Sequence, residues 1–149
     1  MASVTACTPD TFARALTGLL DASRVGVEDE LDGAVRKSTS YTRRRVVVHA
    51  RSAVGDASGD PSWRQGRALE PGERYPAGFS YRVTRKSHGS TGTVGNKTDP
   101  GLVHLLEKGH AIATGGRVQA YKHMEPAAEE GFEDFEKRAE EAIGAGLAR

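Results

Sequence analysis

The chain has 149 residues, 37% of them hydrophobic and 28% charged, with 21 Lys/Arg against 20 Asp/Glu. Its one cysteine, Cys7, excludes an intramolecular disulfide and leaves any metal site to His and carboxylates. No apolar run approaches the ~18 residues that span a bilayer, and MASVTACTPD lacks the basic and apolar regions of a signal peptide, which predicts a soluble protein made in the cytoplasm.

The length suits a single domain over 1–149. Eighteen glycines, against a usual share of ~7%, predict a thin core and long polar segments. The charge is unevenly placed. Six Lys/Arg and no Asp/Glu lie between Arg36 and Arg51, whereas eight acidic and two basic residues lie between Glu125 and Glu141. Complementary runs of this kind can fix a head-to-tail contact between copies; they are equally the signature of two solvated helix faces.

A helical region is expected over 8–54. Thr8 can cap it, Pro9 suits its first position, and Asp10 complements the helix dipole. Phe12, Leu16, Leu19 and Leu20 follow at helical spacing, and the pattern runs on through Leu31, Val35 and Ser38. Gly18, Gly26 and Gly33 each weaken it by roughly 1 kcal/mol relative to Ala. Residues 43–49 read two ways. The β-branched run Val46-Val47-Val48 favours a strand, while continuity with the Leu31/Val35 face favours the helix, and we adopt the helix.

From 55 to 78 the density of Gly and Pro predicts an extended loop with no regular element. Trp63 and Tyr75 within it would dock either on a partner or on this chain's own core. Phe79–Arg85 alternates as a half-buried strand does. His88–Gly92 reads as a turn and Thr93–Asn96 as the returning strand of a hairpin. Leu102–Lys108, after Asp99-Pro100, reads as a two-turn helix stopped by Gly109. Gly115-Gly116 is a turn, and Val118 and Ala120 suggest a further short strand, so 79–121 holds hairpin, short helix and strand. The last helix, over 125–147, opens near Pro126 and carries an apolar stripe of Ala128, Phe132, Phe135, Ala139 and Ala142. The class is α+β: a long N-terminal helix, a small antiparallel sheet with a β-hairpin, and a C-terminal amphipathic helix.

Three constellations bear on chemistry. His104, Glu107 and His110, with His123 beyond, could ligate zinc if the helix ended at Gly109; the i, i+4 histidine pair of the zinc helix motif is absent. The alternative is that these imidazoles hydrogen-bond nearby backbone and fix the following loop. No nucleophile elbow or phosphate loop occurs. Arg36, Lys37, Arg43, Arg44, Arg45 and Arg51 could contact DNA phosphates, for instance as the lining of a DNA channel. Tyr41 is the only aromatic among them, so base stacking has little support.

The stretch Leu102-Val103-His104-Leu105-Leu106-Glu107-Lys108-Gly109-His110 is followed by Gly115-Gly116-Arg117-Val118, His123, Pro126-Ala127 and an acidic amphipathic helix. This order resembles a family of long-tailed bacteriophage proteins encoded between the head and tail genes, described as tail components and as neck, tail-completion or head–tail joining proteins. Tyr75–Val83 looks like the start of that family's aromatic strand, and Asn96-Lys97 like the pair that closes its hairpin. The likeness covers roughly 16–143 and is specific at 102–126. Two departures stand out: the loop from Gly55 to Arg74 is longer, and Met124 replaces the more usual isoleucine or phenylalanine.

The resemblance implies a non-enzymatic virion protein, assembled in the host cytoplasm, without cofactor or membrane. It implies a homo-oligomeric ring, of six copies, that joins or terminates the tail. Its neighbours would be other neck, head-completion and tail-tube proteins, with genomic DNA passing through without sequence specificity. On this view Leu102, Leu105 and Leu106 anchor hairpin to helices, and Gly109, Gly115 and Gly116 supply turns. His104, Glu107, His110, Arg117 and His123, beside Pro126, form a polar network at the motif or at the subunit interface. The alternatives from other classes are a nucleic-acid-binding module using 36–51 and a zinc-dependent hydrolase.

Overall fold

A computed structural model describes residues 9–57, 74–87 and 89–147. The elements are, in chain order, α1 (Pro9–Ala57), α2 (Arg74–Ala77), β1 (Phe79–Lys86), β2 (Gly89–Asn96), α3 (Pro100–Lys108), β3 (His110–Ala111), β4 (Arg117–Val118) and α4 (Met124–Leu147). The α+β class is as the sequence predicts. The strands form two separate two-stranded antiparallel sheets, β1–β2 and β3–β4. No described helix is long and apolar enough to cross a membrane.

Helix α1 is the spine. It begins at Pro9, where a missing N–H costs nothing, and it passes through the Val46–Val48 run without a break. Burial decides that segment against its strand propensity: Val46 and Ala50, four residues apart, are both fully buried, whereas Val48 faces solvent. The helix also continues through Gly55 to Ala57, into the stretch predicted as loop. One glycine costs about 1 kcal/mol, too little to undo a turn already propagated from a long helix. The loop gains a regular element as well, the single turn α2, because Tyr75 and Pro76 are buried against the core. Cys7, the expected cap Thr8 and Trp63 lie outside the described residues.

Helix α4 runs antiparallel to α1. Gly146 sits against Val27 at one end, and Glu130 meets Arg45 and His49 towards the other. The contact face differs from the expected stripe. Ala127, Gly131, Ala142 and Gly146 are the buried residues of α4, while Phe132 is 70% exposed. Small residues win because the two backbones approach closely: a Cβ on Gly131 would collide with the Thr42 side chain, and one on Gly146 with Val27. Facing them, α1 offers its own small side chains, Ala34 and Ser38.

The β1–β2 hairpin lies along another side of α1. Its register pairs Phe79 with Asn96 and Lys86 with Gly89. Gly89–Gly92 is therefore strand, not the turn expected from its composition. Gly92 is there for proximity: a Cβ would strike Thr39 of α1. Arg43 Nε donates to the Phe79 carbonyl at 3.0 Å, Arg85 pairs with Asp29 at 2.8 Å, and Ser90 bonds Asp32, tying the hairpin to α1 along its length.

The core gathers Val46 and Ala50 of α1, Tyr75, Phe79, Leu106 and Ala127, with Leu102, Val103, Val94 and Met124 packed around them. It lies at the C-terminal half of α1. Towards the N-terminus α1 extends past the end of α4, and Phe12, Leu16, Leu19 and Leu20 are exposed there.

Candidate functional site

The motif region 102–126 folds into a junction between α3 and α4. Helix α3 ends at Gly109, whose φ of +64° suits glycine and whose Cβ position is filled by the Val118 carbonyl. The chain then forms the β3–β4 ladder, pairing His110 with Val118, around the turn at Gly115 and Gly116, both with φ near +98°. Tyr121 N–H donates to the Leu106 carbonyl at 2.7 Å and brings the chain back to α3.

Glu107 closes the junction. Its carboxylate accepts hydrogen bonds from the backbone N–H groups of His123, Met124 and Glu125 at 2.9, 3.0 and 2.9 Å. These are donors that the first turn of a helix leaves unsatisfied. A side chain from α3 therefore caps α4, a role that local capping residues usually fill. Burial pushes the Glu107 pKa up, but the three backbone donors and the adjacent His123 outweigh it and hold the carboxyl below its ordinary value.

His123 is fully buried, and its partners fix its tautomer. Nδ1 lies 2.8 Å from the Tyr121 carbonyl, which can only accept, so Nδ1 carries the proton. Nε2 lies 2.8 Å from the Tyr75 hydroxyl and accepts from it. The rings of Tyr75, Phe79 and His123 meet edge to face, with centroids 5.3–5.9 Å apart. Burial, then the charges of Glu107 and Asp99, push the Tyr75 hydroxyl pKa well up. Asn96 completes the junction: its Nδ2 donates to the Tyr75 carbonyl and its Oδ1 accepts from the N–H groups of Thr98 and Asp99.

The predicted network is thus only partly assembled. Glu107 and His123 meet; Leu106 is buried, and Leu102 and Leu105 are half-buried. His104 and Arg117 point to solvent, and Pro126 sits half-buried in the first turn of α4. His110 contributes a buried Nδ1 without a hydrogen-bond partner among the described residues. Both nitrogens of His123 and both oxygens of Glu107 are engaged within the chain. Among the described residues no three His, Cys, Asp or Glu side chains are grouped to hold a metal ion. Tyr75, Phe79 and Asn96 belong to this junction; the sequence marks Tyr75–Val83 and Asn96-Lys97 as strand entry and hairpin closure, but nothing local links them to His123.

The basic run does not form one face. Arg45 pairs with Glu130 through Nε and, at 2.9 Å, through Nη2; His49 Nε2 lies 2.9 Å from the same carboxylate. Part of the complementarity between the basic and acidic runs is therefore used inside one chain. Hydrogen bonding from Arg45, opposed by burial and aided by His49, holds the Glu130 pKa down to about 2. Arg43 is engaged with β1 and Arg51 is exposed. Arg36, Lys37 and Arg44 instead line a shallow basin of about 300 Å³ with Ser40, Tyr81 and Arg138 of α4. No carboxylate lines that basin, although Arg138 is held by Asp134 at 2.7 and 3.0 Å.

No protein-family model, curated protein or solved structure matches this chain.

Proposed function

We propose that this chain is a structural, non-catalytic subunit of a tailed-bacteriophage neck, and that copies of it form a ring joining or terminating the tail at the head–tail interface. Support comes from the resemblance carried by 102–126 and from what those residues do. The side chains that would have been read as catalytic or zinc-binding, Glu107 and His123, hold α3, α4 and α2 together instead. The observation that carries the proposal is the apolar side chains Phe12, Leu16, Leu19 and Leu20 of α1, which are exposed among the described residues. A subunit that is completed by its neighbours has this form. The other partners would be adjoining neck, head-completion and tail-tube proteins, and the site of action the virion.

Native mass spectrometry across protein concentration and salt tests the proposal. A closed ring, six copies on the resemblance, is the expected result. A chain that stays monomeric alone and does not enter the neck when virions are assembled with it would overturn it.

A second reading has its own observation. The basin of Arg36, Lys37, Arg44 and Arg138 concentrates positive charge without an acidic lining, which suits phosphate contacts. In a ring this basin would face the passing DNA. In a free-standing nucleic-acid-binding module it would give strong, salt-sensitive binding by the monomer.

A further inference from the structure

We infer that the basic basin of Arg36, Lys37 and Arg44 receives the acidic outer ridge of α4, carried by Glu133, Glu136 and Glu140, from a second copy of this chain. The inference rests on the ring reading and deepens it, since it names the two surfaces that meet between subunits.

The receiving surface is the basin between α1, β1 and α4. Lys37 and Arg44 form no ion pair among the described residues, and Arg36 reaches Asp32 only at 3.8 Å. Arg36 and Arg44 stand about 12 Å apart along the helix axis. Tyr81, 43% exposed, adds an aromatic wall.

The occupant is the face of α4 turned away from α1. Ala127, Gly131, Ala142 and Gly146 mark the inner side of that helix. At 3.6 residues per turn, Glu133, Glu136 and Glu140 fall on the opposite side, in one stripe about 10 Å long. All three are exposed, and none forms an ion pair among the described residues. Other carboxylates of α4 are already used: Glu130 by Arg45, Asp134 by Arg138 and Glu125 by Lys122. Like charges three and four positions apart repel on a helix, so the ridge gains from cations brought by a partner. Phe132, at the rim of a groove between α1, β2 and α4, neighbours Glu136 on the helix surface. A ridge seated in the basin brings that exposed ring against guanidinium groups, a favourable cation–π contact.

Ridge and basin cannot meet within one chain, because α4 holds the ridge away from α1. The contact is therefore heterologous, the type that closes into rings. Exposed charge pairs are individually weak and salt-sensitive, and ring closure strengthens them by holding every copy at two contacts. DNA fits the basin less well. An adjoining hollow of about 220 Å³ shares Lys37 and Arg138 and adds the carboxylates of Glu30 and Glu141. A duplex is a continuous rail with one charge per ~1.7 Å of axis and would run across them, whereas a ridge of three carboxylates ends inside the basin. The net charge of +1 also gives little steering towards DNA.

Charge reversal in the full chain tests the contact. One variant carries Glu133→Lys, Glu136→Lys and Glu140→Lys; the other carries Arg36→Glu, Lys37→Glu and Arg44→Glu. All six positions are exposed, so both variants should keep the parent Tm; should either misfold, Glu136→Lys and Arg44→Glu alone replace the triple changes. Sedimentation velocity and native mass spectrometry at low and high salt read the assembly. Each variant alone should associate at least about tenfold more weakly than the parent, because like charges then face each other. An equimolar mixture should recover parent-like association, since every ridge again meets a basin of opposite sign, and should alternate the two variants. A mixture no better than either variant alone overturns the inference. If both variants form rings alone as the parent does, the inference falls and the ring stands. Loss and rescue in an open filament keep the contact and overturn the ring. A parent that stays monomeric at every concentration in low salt overturns the contact. Binding to a duplex DNA probe that is lost in the Arg36→Glu, Lys37→Glu, Arg44→Glu variant, with self-association unchanged, gives the basin to DNA and also overturns it.

Discussion

Glu107, in the last turn of α3, accepts the backbone N–H of His123 at 2.9 Å and so holds the start of α4. Sixteen positions separate the two residues, and the contact makes the whole turn between them part of the core. Glu107→Ala leaves three N–H groups without their acceptor and is expected to cost about 2 kcal/mol, a fall in Tm of several degrees. Glu107→Gln, which keeps one acceptor oxygen, should lose less. Arg117→Ala, at an exposed position, should leave Tm unchanged, so any effect it has on ring formation reports on the interface alone. Thermal unfolding followed by circular dichroism separates the three.

Tyr75→Phe removes the donor to Nε2 of a fully buried imidazole. The ring packing survives, but a buried acceptor is left unpaired, at a cost of about 1–3 kcal/mol. Chemical denaturation should show a lower midpoint with an unchanged slope. An unchanged midpoint would show that the hydroxyl contributes nothing to the junction.

Gly131→Ala forces a methyl group into Thr42, a β-branched side chain that is stiff in a helix. The expected loss is about 1–3 kcal/mol. Thr42→Ala made together with it should recover most of that loss, giving a strong coupling in a double-mutant cycle. Gly144→Ala is the control: its Cβ meets nothing within 4 Å, and it should stabilise α4 by up to about 1 kcal/mol.

Glu130 gives the fold a defined acid sensitivity. Its pKa is held at about 2 in the folded chain against an ordinary value of 4.5. A depressed folded pKa means that the stabilisation is fully present above pH 4.5 and is lost as pH falls towards 2. Arg45→Ala and Glu130→Gln should both flatten the stability profile across that window. Because the pair is partly exposed, added salt should shrink the difference between them and the parent chain. Urea midpoints measured from pH 6 to pH 2 provide the comparison.

The basic basin predicts a division among the arginines. Arg36→Ala, Lys37→Ala and Arg44→Ala should weaken binding to duplex DNA of any sequence. Each lost phosphate contact should reduce the slope of log affinity against log salt by about 0.9. Arg45→Ala should lower stability instead, because its guanidinium is committed to Glu130. Fluorescence anisotropy over a salt series distinguishes the two effects.

Much of the architecture is legible in the sequence because it is local. Pro9, the apolar spacing from Phe12 onward, the alternation of Phe79–Arg85, the break at Gly109 and the turn at Gly115-Gly116 each act through nearby backbone. The elements that differ from the expectation share a cause. Gly89–Gly92 looks like a turn, because the sequence does not distinguish a glycine needed for its φ from one needed, like Gly92, for a close approach. The stripe through Phe132 looks like a core face because periodicity shows which residues align, not whether a groove remains open beside them.

The sequence by itself determined the α+β class and the order of the main elements. Only the tertiary structure decided that Glu107 caps a helix from sixteen residues away, that His123 is locked by Tyr75, and that Arg45 neutralises Glu130 inside the same chain. The reason is physical. Propensities, caps and turns depend on neighbours within a few residues, whereas burial, side-chain pairing and close backbone approach depend on which distant segments the packing brings together.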